Sequence, residues 1–290
     1  MVRIQAPATT ANLGAGFDCL GCALSLHNTY ELEEIERGYE ISGCDAAYAN
    51  ENNLVARAYR EAMRRMNLPV RGLRVRIEAS IPLARGLGSS AACIAAGVLG
   101  ASLLHGGRMD EQALLDAATA IEGHPDNVAP CLLGGLTASM TENGRVYSVR
   151  YQPHERIRFC ALIPDFELST EQARGVLPAQ VPFADAVYNL SHVAVFARAM
   201  ELGDARLIAA ALSDRLHQPY RKPLFREYDA LRERALDAGA IGFCVSGAGP
   251  TLLSLYTDEG YPERVAQRLC GLENRWQALP LRVAEGARAL

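Results

Sequence analysis

Four short stretches hold the residues best suited to chemistry. From Ile81 to Ala92 the chain reads Ile-Pro-Leu-Ala-Arg-Gly-Leu-Gly-Ser-Ser-Ala-Ala. Gly86 and Gly88 can take positive φ and allow close approach to the backbone. Ser89 and Ser90 offer hydroxyls to an anion or to a magnesium ion. A glycine-rich turn running from a strand into a helix leaves backbone N–H groups pointing outward, and the helix dipole adds about half a positive charge there. The segment has the makings of a phosphate cradle. It is not a Walker A loop, which requires G-x-x-x-x-G-K-[ST]. The only lysine of the chain is Lys222, and the other 28 of its 29 basic residues are arginine. A tight turn with a serine N-cap fits the segment equally well.

The other stretches carry amides, carboxylates and imidazole. Asn12 and Asp18 flank Leu-Gly-Ala-Gly-Phe, and Glu122, His124, Asp126 and Asn127 crowd into Glu-Gly-His-Pro-Asp-Asn. Each has an ordinary structural alternative: turn chemistry for Asn12, an N-cap for Asp18, a capping or surface histidine at 124. Glu122 closes a predicted helix, an end where the dipole disfavours a carboxylate unless a cation joins it. Ser246-Gly-Ala-Gly-Pro-Thr251 is a second glycine-rich turn. Arginine suits two-pronged carboxylate binding, but among 28 arginines composition cannot choose.

Regular elements must position these residues. Residues 1–7 predict a short strand ended by Pro7, and Thr29–Ile35 a half-wet strand. Apolar spacing from Leu54 to Met66 predicts an amphipathic helix capped by Asn52 or Asn53. Leu73, Val75 and Ile77 alternate with charged residues as in a strand, and an apolar helix is expected over Ser90–Leu104. A second helix runs from Asp110 as N-cap to Gly123 as stop. Asn143-Gly144 marks a hairpin. Beyond it come a buried strand at 157–165, helices over 188–203, 204–216 and 223–239, a strand–turn–strand or strand–turn–helix unit at 240–257, and a last helix from Tyr261. Strands and helices mix without strict βαβ alternation, which predicts an α+β fold, with a boundary near residues 150–157.

Composition narrows the class. The chain has 290 residues, 49% apolar and 21% charged, with net charge −4. That is a globular balance long enough for a large core, and no basic patch argues for nucleic acid. The uncharged run 86–104 is long enough to raise a membrane span, but its Gly, Ala and Ser content predicts a buried helix. Eight scattered cysteines without a secretory signal predict reduced thiols in a cytoplasmic protein. Cys19-Leu-Gly-Cys22 lacks the second ligand pair a structural zinc needs, so buried small residues are expected there.

The segment Pro82–Ala92 resembles the ATP-binding motif of the GHMP kinases. Ala6–Leu24, Glu122–Gly135 and Ser246–Thr251 resemble further motifs of that family in family order, the first two in the form of its homoserine kinase branch. The resemblance spans residues 6 to 251. It implies a two-domain GHMP kinase fold: a ribosomal-protein-like α/β domain over residues 1–153 and a ferredoxin-like domain over 154–290, with the site between them. It implies that Pro82, Leu83, Ala84, Arg85, Gly86, Leu87, Gly88, Ser89, Ser90, Ala91 and Ala92 wrap the phosphates of ATP, with Asn53 near the adenine. Ser90 and Glu122 are the implied Mg²⁺ ligands, although only Gly123 separates Glu122 from His124 where many relatives have a longer insert. Asn12, Asp18, His124, Thr170, Arg174 and Arg221 are the implied contacts to L-homoserine, Asp18 receiving the ammonium. Glu122, Ser90, Asn12 and His124 form the implied catalytic set. Phosphorylation of the homoserine hydroxyl, a threonine-pathway step, is the expected activity, with a homodimer as the common family assembly. A kinase for shikimate or mevalonate, or a nucleotide-binding regulator without catalysis, are the alternatives.

Overall fold

The computed structural model describes residues 1–290. Eleven strands run β1 (Val2–Ala11), β2 (Leu20–Ile35), β3 (Tyr39–Ser42), β4 (Gly72–Glu78), β5 (Leu136–Glu142), β6 (Arg145–Tyr151), β7 (Arg158–Pro164), β8 (Gly242–Val245), β9 (Leu252–Tyr256), β10 (Trp276–Leu281) and β11 (Arg288–Ala289). The α-helices are α1 (Leu54–Arg65), α2 (Ser89–Leu104), α3 (Glu111–Glu122), α4 (Pro125–Leu133), α5 (Thr170–Gly175), α6 (Phe183–Leu202), α7 (Ala205–Ala211), α8 (Gln218–Arg221), α9 (Tyr228–Ala238) and α10 (Tyr261–Gln267).

Two sheets result. The first is ordered β11-β1-β2-β4-β3, with β5 and β6 added beside β2. Sixteen-residue β2 serves two partners on one edge: Leu20–Cys22 pair with β5 and Thr29–Ile35 with β4. The second sheet is antiparallel in the order β10-β7-β9-β8. Counted along its own strands that is 4-1-3-2, the ferredoxin-like arrangement, and the whole is α+β.

Several element ends differ from the sequence pattern. Pro7 does not end β1. The register with β2 shifts between Pro7 and Ala8, and the strand continues to Ala11; an irregularity is where a residue without an N–H fits a strand. The helix expected from Pro223 starts as a 3₁₀ turn at Lys222–Leu224, and α9 begins only at Tyr228. Strand β3, helix α4 and the closing strands β10 and β11 carry no strong periodicity and lie outside the expected elements. The caps expected at Asn53 and Asp110 form: their side chains accept from Val55 N and Ala113 N.

The apolar run 86–104 becomes α2, a sixteen-residue helix enclosed by protein. A Cβ on Gly97 would lie 2.5 Å from both the Ala58 Cβ and the Val55 carbonyl oxygen of α1, and one on Gly100 2.6 Å from Leu32 on β2. Small residues let α2 lie tightly between helix and sheet. No helix of the structure is long and apolar enough to cross a membrane. All eight cysteines are free, and Cys22 is buried in the core.

The second sheet is buried on both faces. Phe159, Ala161, Cys244, Leu253 and Leu255 join the 46-residue core that also contains Ile4, Leu20 and Leu32 of the first sheet. The alternate residues Cys160, Leu162, Phe243, Val245 and Leu252 face a separate 13-residue core with Leu231 and Ala235 of α9 and Tyr261 and Val265 of α10. Glu227, just before α9, bonds to the segment that leads into β10. Its carboxylate accepts from the backbone amides of Glu273 and Asn274, from Asn274 Nδ2 at 2.9 Å and from Trp276 Nε1 at 2.7 Å, tying the start of α9 to β10.

Burial opposes ionisation of Glu227, but the donors from Trp276, Asn274 and Glu273 outweigh it and hold the carboxyl below its ordinary value. A depressed carboxyl stabilises the fold above the unfolded value and loses that contribution as pH falls through the folded one. Glu227→Gln is expected to cost about 1.5–3 kcal/mol at pH 7. The difference from wild type should shrink as pH drops below the carboxylate range, as read from urea midpoints at the two pH values.

Candidate active site

The cradle is held from both sheets. On one side Thr9 N of β1 donates to Leu87 O at 3.1 Å. On the other, Ser246 Oγ donates to Gly86 O at 2.7 Å and Thr251 N to Arg85 O at 3.2 Å. Gly86 and Gly88 have φ of 72° and 68°. Side chains are excluded there on space as well, since a Cβ at Gly86 would meet Gly249 O at 2.7 Å. Gly88 is the N-cap residue of α2 and has no side chain to satisfy the first turn. As a result the amides from Gly86 through Ala91 have no acceptor in the protein, and the first amide to find one is Ala92, on Gly88 O. Six consecutive unpaired N–H groups at a helix start make an anion site.

Ser90 Oγ, in the first turn of α2, donates to Glu122 Oε1 at 2.8 Å. Glu122 is the last residue of α3 and has no arginine or lysine partner. Burial raises its carboxyl above the ordinary value, the Ser90 hydroxyl works against that, His124 helps it ionise and Asp126 hinders it. A hydroxyl and a carboxylate at the edge of an anion cradle form an all-oxygen donor pair, which fits a hard cation.

Beyond Glu122 the charges alternate. Gly123 (φ 94°) stops α3, and the chain re-enters helix at once as α4, with His124 as N-cap residue and Pro125 in the first turn. That places the fully buried Asp126 at a helix N-terminus, where the dipole favours a carboxylate. Its Oδ1 pairs with His124 Nδ1, while Oδ2 has no partner. Burial opposes protonation of His124, but Asp126, Asp18 and Glu122 outweigh it and hold the imidazole above its ordinary value. The β2 residue facing this turn is Gly21, where any Cβ would overlap the Asp126 carbonyl.

The loop after β1 supplies the opposite wall. Asn12 and Asp18 both adopt left-handed backbone conformations, φ 57° and 52°, which asparagine and aspartate tolerate better than most residues. Asn12 Oδ1 accepts from Asp18 N at 2.8 Å, and Asn12 Nδ2 donates to Gly247 O at 3.0 Å. Arg174 of α5 forks onto the Asp18 carboxylate at 2.7 and 3.1 Å. Arg221, at the end of α8, is 1% exposed. It donates to Ala173 O and Gly247 O at 3.2 and 2.9 Å. Burial and the neighbouring Arg174 push it down to about 10, against the pull of Asp18, Asp126 and Asp214. Asp18, His124 and Asp126 bring ligand atoms within 4.8 Å of one another. The Arg174 fork already neutralises Asp18, which makes this trio a poorer divalent-cation site than Ser90 and Glu122.

The structure thus brings together Asn12, Asp18, His124, Arg174 and Arg221, and sets Ser90 and Glu122 between them and the cradle. Thr170 is exposed as the first residue of α5, where the capping box belongs to Ser169 and Gln172. Asn53 spends its side chain on Val55 N and Tyr48 O. Within the loop, Leu83 is half exposed, and Arg85 holds the carbonyls of Pro164 and Asp165 at 3.2 and 3.3 Å.

Two members escaped sequence reasoning. Phe17 lies under both arginines, with ring-centroid distances of 5.6 Å to Arg174 and 5.2 Å to Arg221, and stacks on His217 at 5.3 Å. His217, buried and held below its ordinary value by that burial, pairs with Gly14 O at 2.8 Å. The i, i+4 spacing of His217 and Arg221 was the available signal.

Comparison with known proteins identifies the family of the chain. The GHMP kinases N terminal domain model matches residues 53–135 and the GHMP kinases C terminal model residues 196–272. A homoserine kinase of Clostridium botulinum (strain Kyoto / Type A2) is 41% identical over 285 residues, covering 98% of this chain and 96% of its own. One from Caldicellulosiruptor saccharolyticus is 43% identical over 288 residues, covering 97% and 94%. The crystal structure of homoserine kinase from Cytophaga hutchinsonii superposes with a TM-score of 0.89 at 28% identity, covering 100% of this chain and 97% of that one. The chain belongs to the homoserine kinase family of the GHMP kinases.

Proposed function

We propose that this protein transfers the γ-phosphoryl group of ATP to the side-chain hydroxyl of L-homoserine, giving O-phospho-L-homoserine for threonine biosynthesis. The observation that carries the reading is the pairing of two unlike sites: six unpaired amides at Gly86–Ala91, and beside them a cluster of acids and arginines sized for a zwitterion.

The amides of Gly86–Ala91 hold the phosphates, backed by the α2 dipole. The remainder of Pro82–Ala92 shapes the cradle, and Asn53, at the start of α1, stands by the adenine. Ser90 and Glu122 hold Mg²⁺, which supplies charge neutralisation when bound. Phosphoryl transfer asks a protein chiefly for positioning and electrostatics. In the acceptor site the Asp18–Arg174 fork is already an acid–guanidinium pair. An α-amino acid enters by exchanging that one pair for two, its ammonium on Asp18, its carboxylate on Arg174 and Arg221. His124 and Asn12 fix the position of Asp18 and of the acceptor's side chain, and Thr170 closes the α5 end. The half-buried Asp18 carboxylate, backed by the buried Asp126, favours an acceptor with an ammonium over mevalonate or shikimate, which have none. The protein works in the cytoplasm as a homodimer.

A coupled ADP-release assay with Mg²⁺ and a panel of homoserine, shikimate and mevalonate tests the reading; no ADP with homoserine overturns it. Asp18→Asn should lower kcat/KM for homoserine by about 10- to 100-fold, the worth of a charged hydrogen bond, with little change in the KM for ATP. Unchanged homoserine kinetics would remove Asp18 from the site. Glu122→Gln should lower kcat by about 100-fold, as loss of a single electrostatic stabiliser does, and raise the Mg²⁺ concentration needed for half-maximal rate, whereas a purely structural Glu122 would leave that requirement where it was.

A further inference from the structure

A second concavity lies behind α8. It has a volume of about 430 Å³, within the size range of small-molecule sites. Gln218, Pro219 and Lys222 line it, whereas His217 and Arg221, one position earlier in each turn, serve the acceptor cluster. The floor is apolar: Leu212, and the edge-to-face pair Tyr228 and Phe243 with ring centroids 5.5 Å apart.

The polar groups of this cleft are unevenly committed. Its carboxylate and amide acceptors are occupied. The buried Asp214 carboxylate takes bonds from Asn189 Nδ2 and from the amides of Leu216, His217 and Gln218. Gln218 Oε1 takes the amide of Val245 at 2.9 Å. The donors are not. Arg232, exposed at the rim, and the Tyr228 hydroxyl make no hydrogen bond, and Lys222 pairs with the exposed carboxylate of Asp229 at 2.7 Å and lies 5.7 Å from the centroid of the Tyr228 ring. A cavity whose uncommitted donors are a guanidinium and a phenol, with Lys222 in an exposed ion pair beside them, above an aromatic and aliphatic floor selects an acceptor-rich, negatively charged ligand with an apolar body.

We propose that this cleft is a regulatory site for a small organic anion, its charged head on Arg232 and Lys222 and its apolar body on Leu212, Tyr228 and Phe243. The route to the acceptor cluster is short. Lys222 follows Arg221 directly. Leu212 also packs under the loop that carries Asn12 and Asp18: a Cβ on Gly14 would stand 2.5 Å from the Leu212 carbonyl oxygen. An occupant that shifts either wall changes how the acceptor is held. This coupling rests on the homoserine kinase reading above; binding to the cleft does not.

The probe is 8-anilino-1-naphthalenesulfonate, an aromatic anion whose fluorescence rises on binding, titrated into folded protein with ATP saturating the nucleotide site. Saturable binding at one site is expected, weakened about tenfold or more by Arg232→Glu, as loss and reversal of a charged contact implies, and equally by Leu236→Trp, which fills the cleft. Circular dichroism and basal kcat of both variants should match wild type. Displacement of the dye by phenylacetate or by phenyl phosphate identifies the preferred head group and supports the site, and displacement by neither overturns it. Equal dye binding by wild type and both variants also overturns it. With binding established, the dye should change the KM for homoserine about fivefold or more in wild type and leave the Arg232→Glu enzyme unaffected; an unchanged KM in wild type overturns the regulatory role. The fluorescence arm needs no turnover, so failure of the activity reading leaves its outcome intact.

Discussion

A buried guanidinium sets the terms for much of this molecule. Removing a charge from water costs several kcal/mol even after relaxation, and Arg221 is almost wholly enclosed. What offsets that cost comes from five separate parts of the chain: the carbonyls of Ala173 and Gly247, the ring of Phe17 beside the carboxylate of Asp18, and the carboxylates of Asp126 and Asp214. Most of these parts are distant from Arg221 in sequence and meet it only in the folded chain. The acceptor site therefore assembles as a unit.

The same interdependence governs the nucleotide side. A glycine-rich loop alone is floppy, and its amides would point in many directions. Here the carbonyls of Arg85, Gly86 and Leu87 are all held from outside, by Thr251, Ser246 and Thr9. With its carbonyls pinned on one side, the loop has its amides left over on the other. The lysine missing from the loop is replaced by geometry: fixed amides, a helix dipole, and a hydroxyl–carboxylate pair at its rim.

How much of this could be read from the sequence depended on the range of the interaction. Helices α1 and α3 were legible to within a residue or two, because cap, apolar spacing and stop are local. The hairpin at Asn143-Gly144 and the cradle were legible for the same reason. Strand β3 is four residues long and lies at a sheet edge, and β10, from Trp276 to Leu281, has a weak pattern interrupted by Pro280; both exist because a neighbouring strand pairs with them. In the site, the motif segments singled out Asn12, Asp18, His124, Arg174 and Arg221, but not that Asn12 spends both ends of its amide on backbone, nor that Arg174 grips Asp18. The Asn12–Gly247 and Arg174–Asp18 contacts join residues more than 150 positions apart, and no local signal encodes them.

The alternation along β7, β8 and β9 has a consequence for motion. Odd and even positions of those strands belong to different cores, and the larger core runs without a break into the first sheet. Swinging one sheet against the other would expose Phe159, Leu253 and Leu255 together with Ile4 and Leu20. Hinge-like opening, familiar in enzymes whose lobes meet across water, is thereby closed to this architecture. Traffic into the cleft falls to side chains and short loops such as Leu83–Arg85, and heat or denaturant should take both sheets apart in one cooperative step.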